Sequence, residues 1–173
     1  LGGGGITEEL IPLLVPFGCH VTVLRRTASD FPGADSTRTL ADLHRVLPDA
    51  DAIFVALALT PETQQVIGGA ELALMKHTAW IVNVARGGHI DTAALVTALQ
   101  DEAIGGAALD VTEPEPLPDG HPLWTLPNCL ITPHVANTPE MGLELLARRV
   151  TSNVERYLAD QQLLGPVNTK AGY

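Results

Sequence analysis

The sequence predicts an α/β fold, a doubly wound parallel sheet of the Rossmann-like kind with a long C-terminal helix. Three observations predict it. After residue 17, short apolar runs alternate with amphipathic stretches, the pattern of βαβ units. Charged or titratable residues stand directly after several of those runs, where an open parallel sheet gathers its ligands. A glycine-rich turn, Gly2-Gly3-Gly4-Gly5, precedes the first helical stretch.

Taken in order, the strands are expected at His20–Leu24, Ala52–Leu57, Trp80–Val84, Gly106–Val111 and Cys129–Thr132. A first helix is expected over Thr7–Phe17, shortened or bent by Pro12 and Pro16, because an interior proline costs roughly 3 kcal/mol. Thr39 is placed to cap a helix that buries Leu40, Leu43, Val46 and Leu47 and stops near Pro48. Pro61-Glu62-Thr63 opens a short helix toward Ile67, and Ala70–Lys76 forms another. Asp91 caps Thr92–Gln100, whose Ala94, Leu95, Ala98 and Leu99 make an apolar stripe. Thr138-Pro139-Glu140 combines a capping hydroxyl, a first-turn proline and an acid at the positive end of the helix dipole. Leu143, Leu146, Ala147, Val150, Val154, Tyr157 and Leu158 then recur at helical spacing, and Val167–Tyr173 reads as a loose polar tail. The division expected is a dinucleotide-binding domain at 1–137, and at 138–173 a helix and tail belonging to a second, mostly missing domain.

Composition narrows the function. With 173 residues, 46% hydrophobic and 17% charged, the chain is a globular one with room for one good core. A net charge of -10 argues against nucleic acid as a partner, since phosphate backbones call for clustered Lys and Arg. No apolar run approaches a membrane span, and the start lacks the basic region of a signal peptide, so no membrane partner is expected. Two cysteines, Cys19 and Cys129, read as small core residues and fit a cytoplasmic location. No Cys/His spacing suggests a metal. The glycine run begins almost at once, with no strand before it, so upstream residues are expected.

The centre of the chemistry is Ile81-Val82-Asn83-Val84-Ala85-Arg86-Gly87-Gly88-His89-Ile90-Asp91. A buried strand there delivers Arg86 to its carboxyl end, and the glycines allow a sharp turn and a close ligand. A guanidinium so placed suits a small anion. Asp110 closes the next strand, Glu113 and Glu115 follow in a proline-rich turn, and His134 follows the last strand. Arg25 ends the first. Gly2-Gly3-Gly4-Gly5-Ile6-Thr7 approximates a dinucleotide fingerprint with Thr7 at the third glycine position. His20, His44, His77, His89 and His121 read as structural.

These words together resemble the D-isomer-specific 2-hydroxyacid dehydrogenases, over Leu1 to about residue 160. The resemblance rests on Gly2-Gly3-Gly4-Gly5-Ile6, Leu59-Thr60-Pro61-Glu62-Thr63, Val82–Gly88, Leu109-Asp110-Val111 with Glu115-Pro116, His121-Pro122-Leu123-Trp124 and Thr132-Pro133-His134. It implies that Arg86 binds the substrate carboxylate, that His134 is the acid/base, and that Glu115 pairs with it. It implies cofactor contacts at Gly2, Gly4, Gly5, Ile6, Pro61, Ala85 and Asp110, with Asp110 at the nicotinamide carboxamide. Glu113 rivals Glu115 on composition, two residues before the position the motif indicates.

Relatives that prefer NAD carry an acid where this chain has Arg25, so Arg25, Arg26 and Thr27 imply NADP, with NAD as the other choice. The function implied is hydride transfer between a nicotinamide cofactor and a small 2-keto/2-hydroxy acid, in a homodimer. The family's N-terminal substrate segment is missing from the matched words, and the chain alone is expected to turn over poorly. Two rivals stand beside this reading: a non-catalytic dinucleotide-binding or assembly module, and an inactive fragment of such an enzyme.

Overall fold

The computed structural model describes residues 1–167 and 169. The expected tail lies almost wholly outside the described residues. The chain divides into two compact units, Leu1–Pro133 and His134–Tyr173.

The first unit holds six short strands: β1 (Thr22–Arg25), β2 (Ser36–Thr39), β3 (Ala52–Val55), β4 (Trp80–Asn83), β5 (Gly106–Leu109) and β6 (Cys129–Ile131). The last four form one parallel sheet in the order β3-β4-β5-β6, and β1 pairs parallel with β2. Each expected strand is present but stops one or two residues early, except β1, which runs on to Arg25. The chain leaves pairing where its polar groups turn to other partners. Asn83, for example, receives the Ala85 N–H on its side-chain oxygen.

Strand β2 is absent from the sequence-based expectation. Its residues Ser36-Thr37-Arg38-Thr39 carry no apolar alternation, and none of the four is fully buried. Pairing is instead supported by polar contacts, Thr22 with Ser36 at 3.0 Å and the Phe31 N–H on the Thr37 hydroxyl. Periodicity cannot report a strand that both faces leave half wet.

The helices are α1 (Gly5–Leu14), α2 (Leu43–Val46), α3 (Gly69–Leu74), α4 (Thr92–Gln100) and α5 (Pro139–Leu158). Helix α1 starts two residues before the expected Thr7 and tolerates Pro12 inside. It ends at Leu14, and Pro16 falls at the opening of a 3-10 turn (Val15–Phe17), where a missing N–H is harmless. The helix expected after Thr39 is three pieces, a 3-10 turn (Leu40–Asp42), α2, and another 3-10 turn (Leu47–Asp49). Thr39 makes no side-chain cap there, because it is the last residue of β2. No helix opens at Pro61. Buried Thr63 accepts the Thr60 N–H at 2.8 Å and donates to the Ala58 carbonyl at 2.7 Å, closing a compact turn in its place. Asp91 caps α4 as expected, accepting the Ala94 N–H at 3.1 Å.

One apolar cluster packs β3, β4 and β5 against α3 and α4, with Val55, Ile67, Ile81 and Ala107 fully enclosed. Each such aliphatic side chain contributes about 1.5–3 kcal/mol on burial. A smaller cluster, Ile11, Val23 and Phe31, seats α1 on β1. Leu24 of β1 packs into the larger cluster, and the backbone of two residues bonds the β1–β2 pair to the larger sheet. Gly2 donates to the Leu24 carbonyl at 2.8 Å, Ala56 donates to the Leu1 carbonyl at 2.8 Å, and the Leu1 amine donates to Phe54. Below this stitch lies a cavity of about 350 Å³ between β1 and β3, lined by Ile11, Val23, Leu47 and Ile53 among others.

Neither cysteine is a core residue: Cys19 is exposed and Cys129 half-buried, its thiol pushed up to about 11 by desolvation. Their apolar neighbours belong to edge segments, so adjacency in sequence did not bring enclosure. In the second unit, the apolar face of α5 is exposed at Leu143, Leu146, Val150 and Tyr157. Asn153 holds the chain that follows, accepting the Leu164 N–H at 2.7 Å and donating to its carbonyl. Among the described residues no helix is long and apolar enough to cross a membrane.

Candidate active site

Parallel pairing puts the ends of β3, β4, β5 and β6 on one edge, with Val55 opposite Asn83, Asn83 opposite Leu109, and Leu109 opposite Ile131. Arg86 lies three residues past β4, and Asp110 lies one residue past β5. The structure therefore brings Arg86, Asp110 and the turn carrying Glu115 to the same edge of the first unit.

The Arg86 side chain is exposed, while Ala85 before it and Gly87, Gly88, His89 and Ile90 after it are buried. Its guanidinium donates to the Ala85 carbonyl at 2.6 Å. The loop beneath is fixed from several directions. Gly88 and His89 carbonyls accept from Gln65 and Ile67, and Asp91 donates back to Ile67. A Cβ on Gly87 would run into the Thr112 carbonyl and come within 2.5 Å of the Glu113 nitrogen. Only glycine lets the Arg86 loop lie this close to the backbone that leads to Glu115.

Asp110 is buried and accepts the Thr132 hydroxyl at 2.5 Å, tying the ends of β5 and β6 together. Glu113 and Glu115 are both exposed, each before a proline in a cis peptide. The Glu113 carbonyl accepts the Thr92 hydroxyl at 2.7 Å, so that turn is also anchored to α4. His134 is exposed and begins the second unit, with a left-handed backbone (φ 55°) that few non-glycine residues adopt. Among the described residues no group of three or more His, Cys, Asp or Glu is placed to hold a metal.

The glycine loop shows what a dinucleotide would require. Gly2 has φ +107° and its Cβ would fall 2.7 Å from the Ala56 carbonyl carbon, so glycine is obligatory there. Gly4 and Gly5 face open space, at the amino end of α1 where unpaired N–H groups and the helix dipole favour an anion. Arg25 lies across Gly3, stacked 5.5 Å from the Phe31 ring centre, and Arg26 and Thr27 are exposed beside it. Thr7, out of place as a third glycine, donates its hydroxyl to the Gly2 carbonyl at 3.0 Å and so holds the loop from the helix side. These residues fit a nucleotide's phosphates. Pro61 is exposed on its turn and Ala85 is buried beneath Arg86.

Residues 1–136 match the family model described as "D-isomer specific 2-hydroxyacid dehydrogenase, NAD binding domain". The chain belongs to that family. It is 43% identical to the glycerate dehydrogenase of Methylorubrum extorquens over 122 residues, 69% of this chain and 39% of that protein. A family member from Xanthobacter autotrophicus, solved in complex with NADPH and MES, is 35% identical with a TM-score of 0.88, over 99% of this chain and 70% of its own. The NADPH-dependent glyoxylate/hydroxypyruvate reductase of Sinorhizobium meliloti, solved with NADP and sulfate, is 29% identical with a TM-score of 0.90, over 99% and 55%. The chain spans about half the length of the curated relatives it matches.

The matched description is that of the family's NAD-binding domain. The structure adds two neighbours that the sequence did not single out, Phe31 stacked by Arg25 and Thr112 against Gly87. Their roles are to pack against or tether a functional neighbour, and no local pattern marks that. Asn83 gave a usable signal, as the only polar residue in the run from Trp80 to Ala85.

Proposed function

We propose that this chain forms the cofactor-binding part of an oxidoreductase that moves a hydride between NADP(H) and a small 2-keto/2-hydroxy acid. One observation carries the reading: an exposed guanidinium, Arg86, sits on a buried, multiply bonded loop beside Asp110 at the strand ends. A rigid planar cation there suits a carboxylate held by two bonds, with its neighbouring carbonyl in reach.

A bound nicotinamide would supply or accept the hydride. In the reduction, negative charge would develop on the keto oxygen; His134 takes the family's acid/base position to protonate it, and Glu115 the family's position for the acid paired with that histidine. Arg86 holds the carboxylate and polarises the carbonyl. Asp110 would hold the carboxamide of a bound nicotinamide. The names of relatives, glycerate dehydrogenase and glyoxylate/hydroxypyruvate reductase, support acids of two or three carbons.

The preference for NADP(H) rests on Arg25 across Gly3 with Arg26 and Thr27 beside it, which offers charge-assisted bonds to a 2′-phosphate and no acid to bind a 2′-hydroxyl. The two structural relatives crystallised with NADPH and NADP support it. The test is the ratio of kcat/KM with NADPH and NADH on glyoxylate and hydroxypyruvate, for the full-length protein and its Arg25→Asp variant. The unmodified enzyme is expected to favour NADPH, and the variant to lose about 10–100-fold of that preference. An unmodified enzyme that favours NADH ends the cofactor proposal. No turnover on any 2-keto acid ends the functional one.

A further inference from the structure

We infer that Asn83 and His89 are positioning residues for Arg86, acting through the Arg86 carbonyl. This rests on the proposed role of Arg86 and assigns two residues to which no function has been attached. The Arg86 carbonyl collects three donors: Asn83 Nδ2 at 2.9 Å, the His89 ring at Nδ1 at 2.9 Å, and the His89 backbone N–H at 3.2 Å. Two of them are side chains, one from the last residue of β4 and one from the turn beyond it. They bracket Arg86 from both directions along the chain.

Both side chains are enclosed, Asn83 at 1% exposure and His89 at 0%. A carbonyl cannot donate, so Nδ1 must carry a hydrogen, and in the neutral ring Nε2 is then a lone pair. That Nε2 is buried and has no hydrogen-bond partner among the described residues. A buried, half-satisfied ring is costly by comparison with an apolar side chain of similar size. The single bond it makes, to the backbone of Arg86, is therefore the reason to keep a histidine there. Asn83 is used at both ends: its oxygen takes the Ala85 N–H at 3.0 Å while its nitrogen reaches the Arg86 carbonyl. Together the pair holds the Val84–Ala85 and Arg86–Gly87 peptides, one before and one after the Ala85–Arg86 unit, and hence the direction in which the Arg86 side chain leaves the loop.

A positioning role predicts that a lost donor harms substrate binding more than fold or cofactor binding. In the full-length protein, His89→Leu keeps the bulk without a donor, and His89→Asn returns an N–H near the Nδ1 position. KM for glyoxylate should rise roughly tenfold in His89→Leu, given that small misplacements of a binding group are costly. The NADPH dissociation constant should stay within about twofold, and His89→Asn should recover most of the KM. Asn83→Asp, which keeps the acceptor and loses the donor, should behave like His89→Leu. Amide exchange at Gly87 and His89 should quicken in His89→Leu and return toward normal in His89→Asn, and the 15N spectrum of the unmodified ring should show the Nδ1–H tautomer.

Unchanged KM in a folded His89→Leu protein overturns the inference, as does an equal loss in both His89 variants with NADPH binding weakened in step. An Nε2–H tautomer overturns it without any activity measurement. Arg86→Ala is the control on the underlying reading. If it leaves KM unchanged, the role of Arg86 in binding the acid fails, whatever the ring spectrum shows.

Discussion

Two glycine-rich loops sit at strand ends in the first unit, and they are held in opposite ways. Around Arg86 the backbone from Gly87 to Ile90 is buried, bonded to Gln65 and Ile67, and pressed against Thr112. Around the dinucleotide fingerprint, Gly4, Gly5 and Ile6 are exposed, and the loop is tied down mainly at Gly2 and Thr7. The first arrangement suits a group that must present one charge in one direction. The second suits a backbone that must leave its N–H groups open to a phosphate. A glycine is needed in both, for contrary reasons: Gly87 because space is full, Gly4 and Gly5 because space must stay empty.

The largest expected effect breaks the closed loop. Gly87→Ala places a methyl group on the Thr112–Glu113 backbone, which cannot swing aside as a side chain would. The expected cost is about 3 kcal/mol or more, or failure to fold. Gly5→Ala, with open space around its Cβ, should leave the melting temperature within a few degrees. Its loss should appear instead as weaker NADPH binding. Thermal unfolding and a cofactor titration on both variants check the contrast, and similar melting temperatures would erase it.

The two loops also mark what the sequence could and could not disclose. The larger sheet was legible because Ile53, Ile81, Ala107 and their neighbours form unbroken apolar runs, as strands covered on both faces must. Arg86 and Asp110 were legible because a charge that ends such a run is carried to the ligand-binding edge of a parallel sheet. Strand β2 was not, since its pairing rests on hydroxyls. The turn at Pro61 imitates a helix start because Thr63 satisfies the backbone from within, and proline followed by an acid looks the same in both cases. His89 reads as structural in the sequence, and its tie to the Arg86 carbonyl exists only once the chain has turned back on itself.

The smallest effect sharpens the open loop. Thr7 stands where a dinucleotide fingerprint has its third glycine, a position that normally permits close helix–strand packing. Here the side chain is half-buried and its hydroxyl donates to the Gly2 carbonyl at 3.0 Å. Gly2 is also the residue that bonds Leu24 and cannot bear a Cβ, so the Thr7 hydroxyl steadies the one point on which the loop turns. Thr7→Val keeps the shape and removes the donor. With the Gly2 carbonyl left without that bond, the loss should be about 1 kcal/mol, near the net worth of one hydrogen bond. Thr7→Gly would restore the fingerprint but adds backbone freedom inside α1, costing about 1 kcal/mol for that reason as well. The expected order of stability is therefore Thr7, then Val, then Gly, in urea unfolding of the full-length protein. If Thr7→Gly is as stable as the unmodified protein, the hydroxyl contributes nothing and this loop is held by Gly2 alone.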